Sequence, residues 1–213
     1  MPRWINKLFR RPIASSTSLG DIRRSFDDAA GDEEHFPSTI DPRIYHVRLI
    51  LEHFGDLAGK HALDLGCGKG RFARVLAARH PTAQIVAFDL SEAMLRFVGA
   101  GISPCSGTMT ALPFASGVFD CVYATESLEH AVAIETAVSE MCRVLKPEGR
   151  LVIIDKNAEH WGKLKTPEWE RWFHREELEK LLGRHCRKVS SKFISYWEDV
   201  EPDGLFLAWL AEK

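Results

Sequence analysis

Three glycines on alternate positions, Gly66, Gly68 and Gly70, stand in the stretch A-L-D-L-G-C-G-K-G-R-F-A, between an apolar run and a helical pattern. A glycine loop joining a strand to a helix exposes backbone N–H groups at the helix start, a common way to hold a nucleotide. The order G-x-G-x-G is not the G-x-G-x-x-G of dinucleotide sites, and Lys69 is followed by Gly70 rather than Ser or Thr, so a Walker phosphate loop is absent too. Two acids narrow the ligand further. Asp64, two residues before the first glycine, would repel a pyrophosphate and would suit a cation. Asp89 ends the next apolar run, Q-I-V-A-F-D, about 20 residues past the glycines, where an acid accepts hydrogen bonds from both ribose hydroxyls. Together they fit a nucleoside with a positively charged tail and no phosphate. S-adenosylmethionine, with its sulfonium, ammonium and carboxylate, is such a molecule.

The pattern on either side supplies the elements that must hold these groups. Apolar runs predict strands at His61–Leu65, Gln84–Phe88, Gly101–Ser106, Val118–Ala124, Arg150–Ile154, Val189–Tyr196 and Leu205–Ala211. Helices are predicted at Arg71–His80, stopped by Pro81, at Ser91–Val98 with Ser91 as cap, at Ile134–Leu145 before a K-P-E-G turn, and at Trp169–Leu182. A further helix begins with Asp41 as N-cap and Pro42 at its first position, carries Ile44, Val47, Ile50, Leu51 and Phe54 on one face, and ends at Gly55. Alternation of strand and helix gives an α/β, Rossmann-like doubly wound, mostly parallel seven-stranded sheet with helices on both faces.

Four segments in order resemble the successive motifs of class I S-adenosylmethionine-dependent methyltransferases: A-L-D-L-G-C-G-K-G, V-A-F-D-L-S-E-A-M-L, A-L-P-F-A-S-G-V-F-D-C-V-Y-A-T-E-S-L-E-H and R-V-L-K-P-E-G-R-L-V-I-I. Within that family the chain is most similar to the group that includes ubiquinone-biosynthesis and many small-molecule enzymes. The resemblance spans roughly Leu57 to Asp155. It implies S-adenosylmethionine as cofactor and S-adenosylhomocysteine as product. It implies that Gly66, Cys67 and Gly68 line the methionine part, that Asp64 sits near the ammonium and that Asp89 binds the ribose. Leu90 and Met94 would pack beside adenine and ribose, and Met109 on the ring. Thr108 stands where many relatives carry an acid for the adenine amine, and a hydroxyl accepts more weakly than a carboxylate.

The acceptor chemistry is expected from the segments after the fourth and fifth strands. Glu126 and His130 are four residues apart and would share a face of a helix, as a base and its orienter; local packing of L-E-H is the competing reading. Asp155, Lys156, Asn157, His160 and Trp161 follow the fifth strand, and P-E-W-E-R-W-F brings Trp169 and Trp172 as a cap for an acceptor pocket or for the core. Tyr45 and His46 are candidates to cover the cofactor. Asp155 and Asn157 alone do not make a metal site, so none is expected.

Bulk composition sets the outer limits. With 213 residues, the chain fits one domain at residues 41–213 behind an N-terminal arm or lid at residues 1–40. A formal net charge of −2 gives no general pull toward nucleic acid, and no Asp/Asn-Pro-Pro-Tyr/Phe tetrad follows the fourth strand. Five widely spaced cysteines without a C-x-x-C pair suit free thiols in a reducing cytoplasm. No apolar run is long enough for a transmembrane helix and the N-terminus has no signal-peptide core. Residues 1–11, M-P-R-W-I-N-K-L-F-R-R, read as a mobile terminus, as a foot for peripheral contact with anionic membrane, or as part of a lid. The expected function is methyl transfer to a small-molecule or lipid-precursor acceptor. The alternatives are a protein or RNA methyltransferase, or a binding protein without activity. The sequence does not set the oligomeric state.

Overall fold

The computed structural model describes residues 17–213. Seven strands form one sheet in the order β3-β2-β1-β4-β5-β7-β6. They are β1 (His61–Leu65), β2 (Gln84–Asp89), β3 (Ile102–Ser106), β4 (Phe119–Thr125), β5 (Leu145–Lys156), β6 (Lys188–Ile194) and β7 (Phe206–Glu212). The pairings among β1 to β5 are parallel, and β7 runs antiparallel between β5 and β6. The order reverses between β1 and β4, which opens a crevice above their C-terminal ends, where ligands of open α/β sheets bind.

Helices cover both faces because β1 and β4 are apolar on both. α2 (Tyr45–Phe54) and α3 (Arg71–Arg79) pack Val47, Ile50, Phe54, Phe72 and Leu76 with Ala62 and Tyr123 on one face. α5 (Ile134–Val144) and α6 (Arg175–Leu182) pack Val138, Met141, Leu178 and Leu181 with Leu63 and Val122 on the other. Alternate residues of each strand thus feed opposite cores, the mark of a sheet buried on both sides. The short α4 (Glu92–Leu95) starts where the Ser91 hydroxyl accepts the Met94 N–H. α1 (Leu19–Ala29) starts with a reciprocal cap, Ser18 accepting from the Asp21 N–H while Asp21 takes the Ser18 N–H.

The predicted sheet and its layers are present, with four local differences. α2 begins at Tyr45, not Pro42, because the Asp41 carboxylate accepts the Arg43 N–H at 2.9 Å and grips its guanidinium, closing a turn instead of capping a helix. α4 is four residues long rather than eight. The K-P-E-G turn is part of β5, carried by a left-handed Glu148 at φ +64° and a register shift against Phe119 and Cys121. The stretch Trp169–His174 is not helical; the Phe173 N–H donates to the Lys156 carbonyl and Trp172 is buried in the core. Continuing the helix would withdraw Phe173 from its bridge beside β5 at Asn157. Among the described residues no helix is long and apolar enough to cross a membrane; the foot at residues 1–11 lies outside them.

Candidate cofactor and acceptor site

The glycine loop is built by close approach. Gly66, at φ +72°, lies so near the loop after β4 that a Cβ would fall 2.4 Å from the Ser127 Cβ and 2.7 Å from its Oγ. Ser127 in turn donates to the Leu65 carbonyl at 2.8 Å, locking the ends of β1 and β4 together. Gly66 and Cys67 N–H both donate to the Phe88 carbonyl. The Gly68 N–H donates to Asp89 Oδ2 at 2.7 Å, and Asp89 Oδ1 accepts the Ser91 N–H at 2.8 Å. Burial raises the Asp89 and Cys67 pKa values, so the Cys67 thiol packs rather than reacts.

One cavity joins this loop to the end of β4. Gly66, Cys67, Gly68, Asp89, Leu90, Met94, Thr108 and Met109 line it, as do Glu126 and His130. Asp64 does not: it is fully buried beneath the loop, where its carboxyl meets the equally buried Tyr123 hydroxyl. Burial pushes its pKa up to about 7, with the Asp89 charge adding to the effect. A carboxyl whose charge burial disfavours this strongly would be stabilised as a carboxylate by a cation placed above the loop. The Thr108 hydroxyl shares a 2.8 Å hydrogen bond with the Thr110 hydroxyl.

The far wall is the N-terminal segment. Ile22 and Phe26 of α1, with His35, Phe36 and Pro37, face the same cavity. Two ties hold it. Asp27 accepts the Ser91 hydroxyl at 2.6 Å. The buried Lys69 ammonium donates to the Asp32 carbonyl at 3.0 Å and to Glu33 at 2.6 Å, and lies 4.7 Å from the centre of the Phe97 ring. Sequence reasoning saw Lys69 only as a failed Walker lysine. Its place between two glycines was the available signal, since a long cation there must find anionic partners or solvent.

At the other end the side chains are charged. Glu126 sits in a left-handed conformation, φ +51°, just past β4, and its Oε1 accepts from Arg71 at 3.3 Å and from the Tyr196 hydroxyl at 3.1 Å. The expected Glu126–His130 pair is not made. The segment between them is a 3₁₀ turn at Leu128–His130, so i and i+4 do not align. His130 Nδ1 instead accepts the Trp169 indole N–H at 3.2 Å. An indole only donates, so neutral His130 carries its proton on Nε2. Burial drives its pKa down to about 3 and keeps it neutral. Tyr45 and His46 do not reach the cavity: Tyr45 Oη accepts from Lys192, and His46 is buried in a stack on Tyr196.

Beside His130 lies a cluster that the sequence did not single out as a unit. Glu129 is fully buried, its Oε1 bound by the Lys156 ammonium. Lys156 also lies 3.5 Å from Glu170, whose Oε2 accepts the Trp172 indole N–H at 2.9 Å. Asp155 accepts the Glu129 N–H at 3.2 Å. Burial, and then the Asp155 charge, raise the Glu129 pKa. Burial opposes the charge on Lys156, but Glu129, Asp155 and Glu170 together hold it ammonium. Glu170 between two tryptophans in W-E-R-W was the legible sign that this acid faces inward.

With that geometry in view, known proteins give the family. A family model described as "Methyltransferase domain" matches residues 63–153. The chain is 37% identical over 180 residues to the O-methyltransferase resE of Aspergillus sclerotiorum, covering 76% of this chain and 67% of that protein. It is 41% identical over 107 residues to a malonyl-[acyl-carrier protein] O-methyltransferase of Methylococcus capsulatus, covering 47% of this chain and 38% of the relative. The chain spans about half the length or less of the malonyl-[acyl-carrier protein] relatives it matches. Among solved structures, the [4+2]-cyclase SpnF superposes with a TM-score of 0.76 at 18% identity over 96% of this chain and 99% of the other, a likeness of fold alone. Glycine loop, the acid that ends β2, strand order and these matches agree: the chain belongs to the class I S-adenosylmethionine-dependent methyltransferases.

Proposed function

We propose that this chain transfers the methyl group of S-adenosylmethionine to a small-molecule or lipid-precursor acceptor. The observation that carries the reading is the single cavity running from the glycine loop to the charged groups after β4 and β5. When bound, the cofactor supplies an electrophilic methyl on a sulfonium, and the protein's task is to align a nucleophile with it at about 3 Å. In this reading the Gly66–Gly68 backbone and Cys67 hold the methionine end, and Asp64 compensates its ammonium from beneath the loop. Asp89 takes the ribose hydroxyls, Leu90 and Met94 flank the nucleoside, Met109 covers adenine, and Thr108 accepts from the adenine amine. Residues 17–40 act as a lid, continuous with an arm from residue 1. Glu126, held by Arg71 and Tyr196, orients the wall between the two ends. His130 contributes a fixed, neutral Nε2–H donor rather than a base.

The relatives' printed names support the acceptor class. One acts on a malonyl group on an acyl carrier, and others are demethylmenaquinone methyltransferases. Cys142 and Cys186 lie 3.9 Å apart without a bond, in keeping with a reducing cytoplasm. The reading includes no nucleic-acid partner, and leaves residues 1–11 a peripheral membrane contact.

Calorimetry with S-adenosylhomocysteine and NAD tests the cofactor, and release of S-adenosylhomocysteine from S-adenosylmethionine with quinol, phenol and acyl-carrier acceptors tests the transfer. Binding of NAD without binding of S-adenosylhomocysteine would overturn the assignment.

A further inference from the structure

The amino-acid end of the cofactor carries a carboxylate as well as an ammonium, and Asp64 answers only the second. The side chains on the cavity wall that can carry positive charge are His35, Lys69, Arg71, His130 and Lys156. Lys69 is spent on the Asp32 carbonyl and Glu33, and Lys156 on Glu129 and Glu170. His130 is kept neutral by burial, and His35 is tied to Asp32 at 2.8 Å. Arg71 is the exception. It makes a single hydrogen bond, from Nη2 to Glu126 Oε1 at 3.3 Å, end-on rather than forked. Its Nε and Nη1 have no acceptor among the described residues, and its side chain keeps 25% of its surface open. A guanidinium presents five N–H donors in a planar fork suited to a carboxylate, so most of this one is unspent.

The fork stands where the amino-acid end must lie. Arg71 is the first residue of α3, directly after Gly70, and Gly70 supplies no side-chain cap, so the positive end of the helix adds to the guanidinium charge. Its plane is braced from two sides. The guanidinium lies 5.2 Å from the centre of the Phe72 ring. Its partner Glu126 also accepts the Tyr196 hydroxyl at 3.1 Å, and Tyr196 is stacked on the buried His46 ring at 4.6 Å. Arg71 is also near enough to Asp64 to oppose the rise in its pKa. A cation and an acid thus stand together at the glycine loop, the complement of a zwitterion.

Resting on the methyltransferase reading above, we propose that Arg71 binds the α-carboxylate of the cofactor's amino-acid end, and that Glu126, held by Tyr196 and His46, positions the guanidinium for it. Arg71 then fixes one end of the methionine chain and Asp89 the ribose. The sulfonium between these two anchors is thereby held in register along the cavity.

Three ligands isolate the carboxylate in calorimetry on the full chain: S-adenosylhomocysteine, decarboxylated S-adenosylhomocysteine, which keeps the ammonium, and methylthioadenosine, which lacks both charges. Wild type should bind S-adenosylhomocysteine at least about 10-fold more tightly than the decarboxylated ligand, the scale of charge-assisted hydrogen bonds. Arg71→Met should weaken S-adenosylhomocysteine by about 10- to 100-fold and leave the other two ligands within about threefold of wild type. A merely structural role would weaken all three alike, and that result overturns the proposal. So does an unchanged affinity for S-adenosylhomocysteine, or a wild type that binds the decarboxylated ligand equally well; the cofactor reading survives each of these. Failure of wild type to bind any of the three removes both readings. If Arg71→Met does not fold, Arg71→Lys decides. It keeps the charge and loses the fork, so the preference for S-adenosylhomocysteine over its decarboxylated form should shrink about threefold or more, and an unchanged preference overturns the proposal.

Discussion

The two ends of the cavity are made of different material. The cofactor end is mostly backbone: positive-φ glycines, N–H groups and one acid, Asp89, that ties the loop to β2. The acceptor end is side chains from distant segments, Glu129 bound by Lys156 across 27 residues of sequence and His130 by Trp169 across 39. Backbone geometry tolerates little variation and fixes one ligand. Buried charges are costly and unbalanced unless every group is met, so one substitution changes what the pocket accepts. A fold that keeps the first end and rewrites the second can serve many acceptors, and this is why fold does not fix chemistry.

The strongest way to break that contrast is at Gly66. Gly66→Ala forces a Cβ into Ser127 at a backbone conformation unfavourable to alanine. The expected cost is roughly 2–4 kcal/mol of stability, with S-adenosylhomocysteine affinity falling by roughly 100-fold or more. Urea unfolding and calorimetry read both, and wild-type affinity would mean that the loop is not a cradle. Asp89→Ala comes next. It removes the acceptor of the Gly68 and Ser91 N–H groups and, in the proposed reading, of the ribose. Charged hydrogen bonds contribute about 1.5–3 kcal/mol, so calorimetry should show affinity lower by roughly 10- to 100-fold. An unchanged Kd would show that Asp89 only braces the loop.

The same division explains what was legible in the sequence. The sheet, the glycine loop and Asp89 could be read because each is a local pattern: short continuous apolar runs, glycines at a strand–helix junction, an acid at a strand end. Glu129, Lys156 and Glu170 could not, because their partnership exists only once β4, β5 and the Trp169–Phe173 stretch are packed side by side. The Glu126–His130 spacing misled for a related reason. It assumed helical geometry just past β4, where the chain uses a left-handed residue and a 3₁₀ turn to meet β5. The helix predicted from Trp169 failed because burial of Trp172 and pairing of Phe173 outweighed local propensity.

A weaker test concerns whether the cover belongs to the cofactor end. Lys69→Met keeps a long side chain against Phe97 and removes the donor to Asp32 and Glu33. Glu33 is 54% exposed, so solvent screens much of the pair. Global stability should change little, because Met fills nearly the same volume. Hydrogen exchange at residues 31–37 should accelerate, and S-adenosylhomocysteine should dissociate about 3- to 10-fold faster, an effect confined to closing the lid. Unchanged exchange with unchanged dissociation would make the Lys69 contacts incidental.

The smallest effect sharpens the contrast most, because it separates the two ends by protons alone. Burial raises Asp64 to about 7. The folded chain therefore keeps that proton between roughly pH 3.9, where the unfolded carboxyl gives it up, and pH 7, and stability is lost as pH rises through this window. A cation brought above Asp64 favours its charged form, so binding at pH 7 should release up to about half a proton. His130, held near 3 at the acceptor end, is already neutral at pH 7 and has no proton to give. Titrating S-adenosylhomocysteine at pH 7 in buffers of different ionisation enthalpy measures the release as the slope of observed heat against buffer heat. Asp64→Asn should flatten that slope, whereas Glu129→Gln should leave it unchanged. An Asp64→Asn slope equal to wild type would mean that the ammonium is compensated elsewhere, and that Asp64 is buried for the sheet rather than for the ligand.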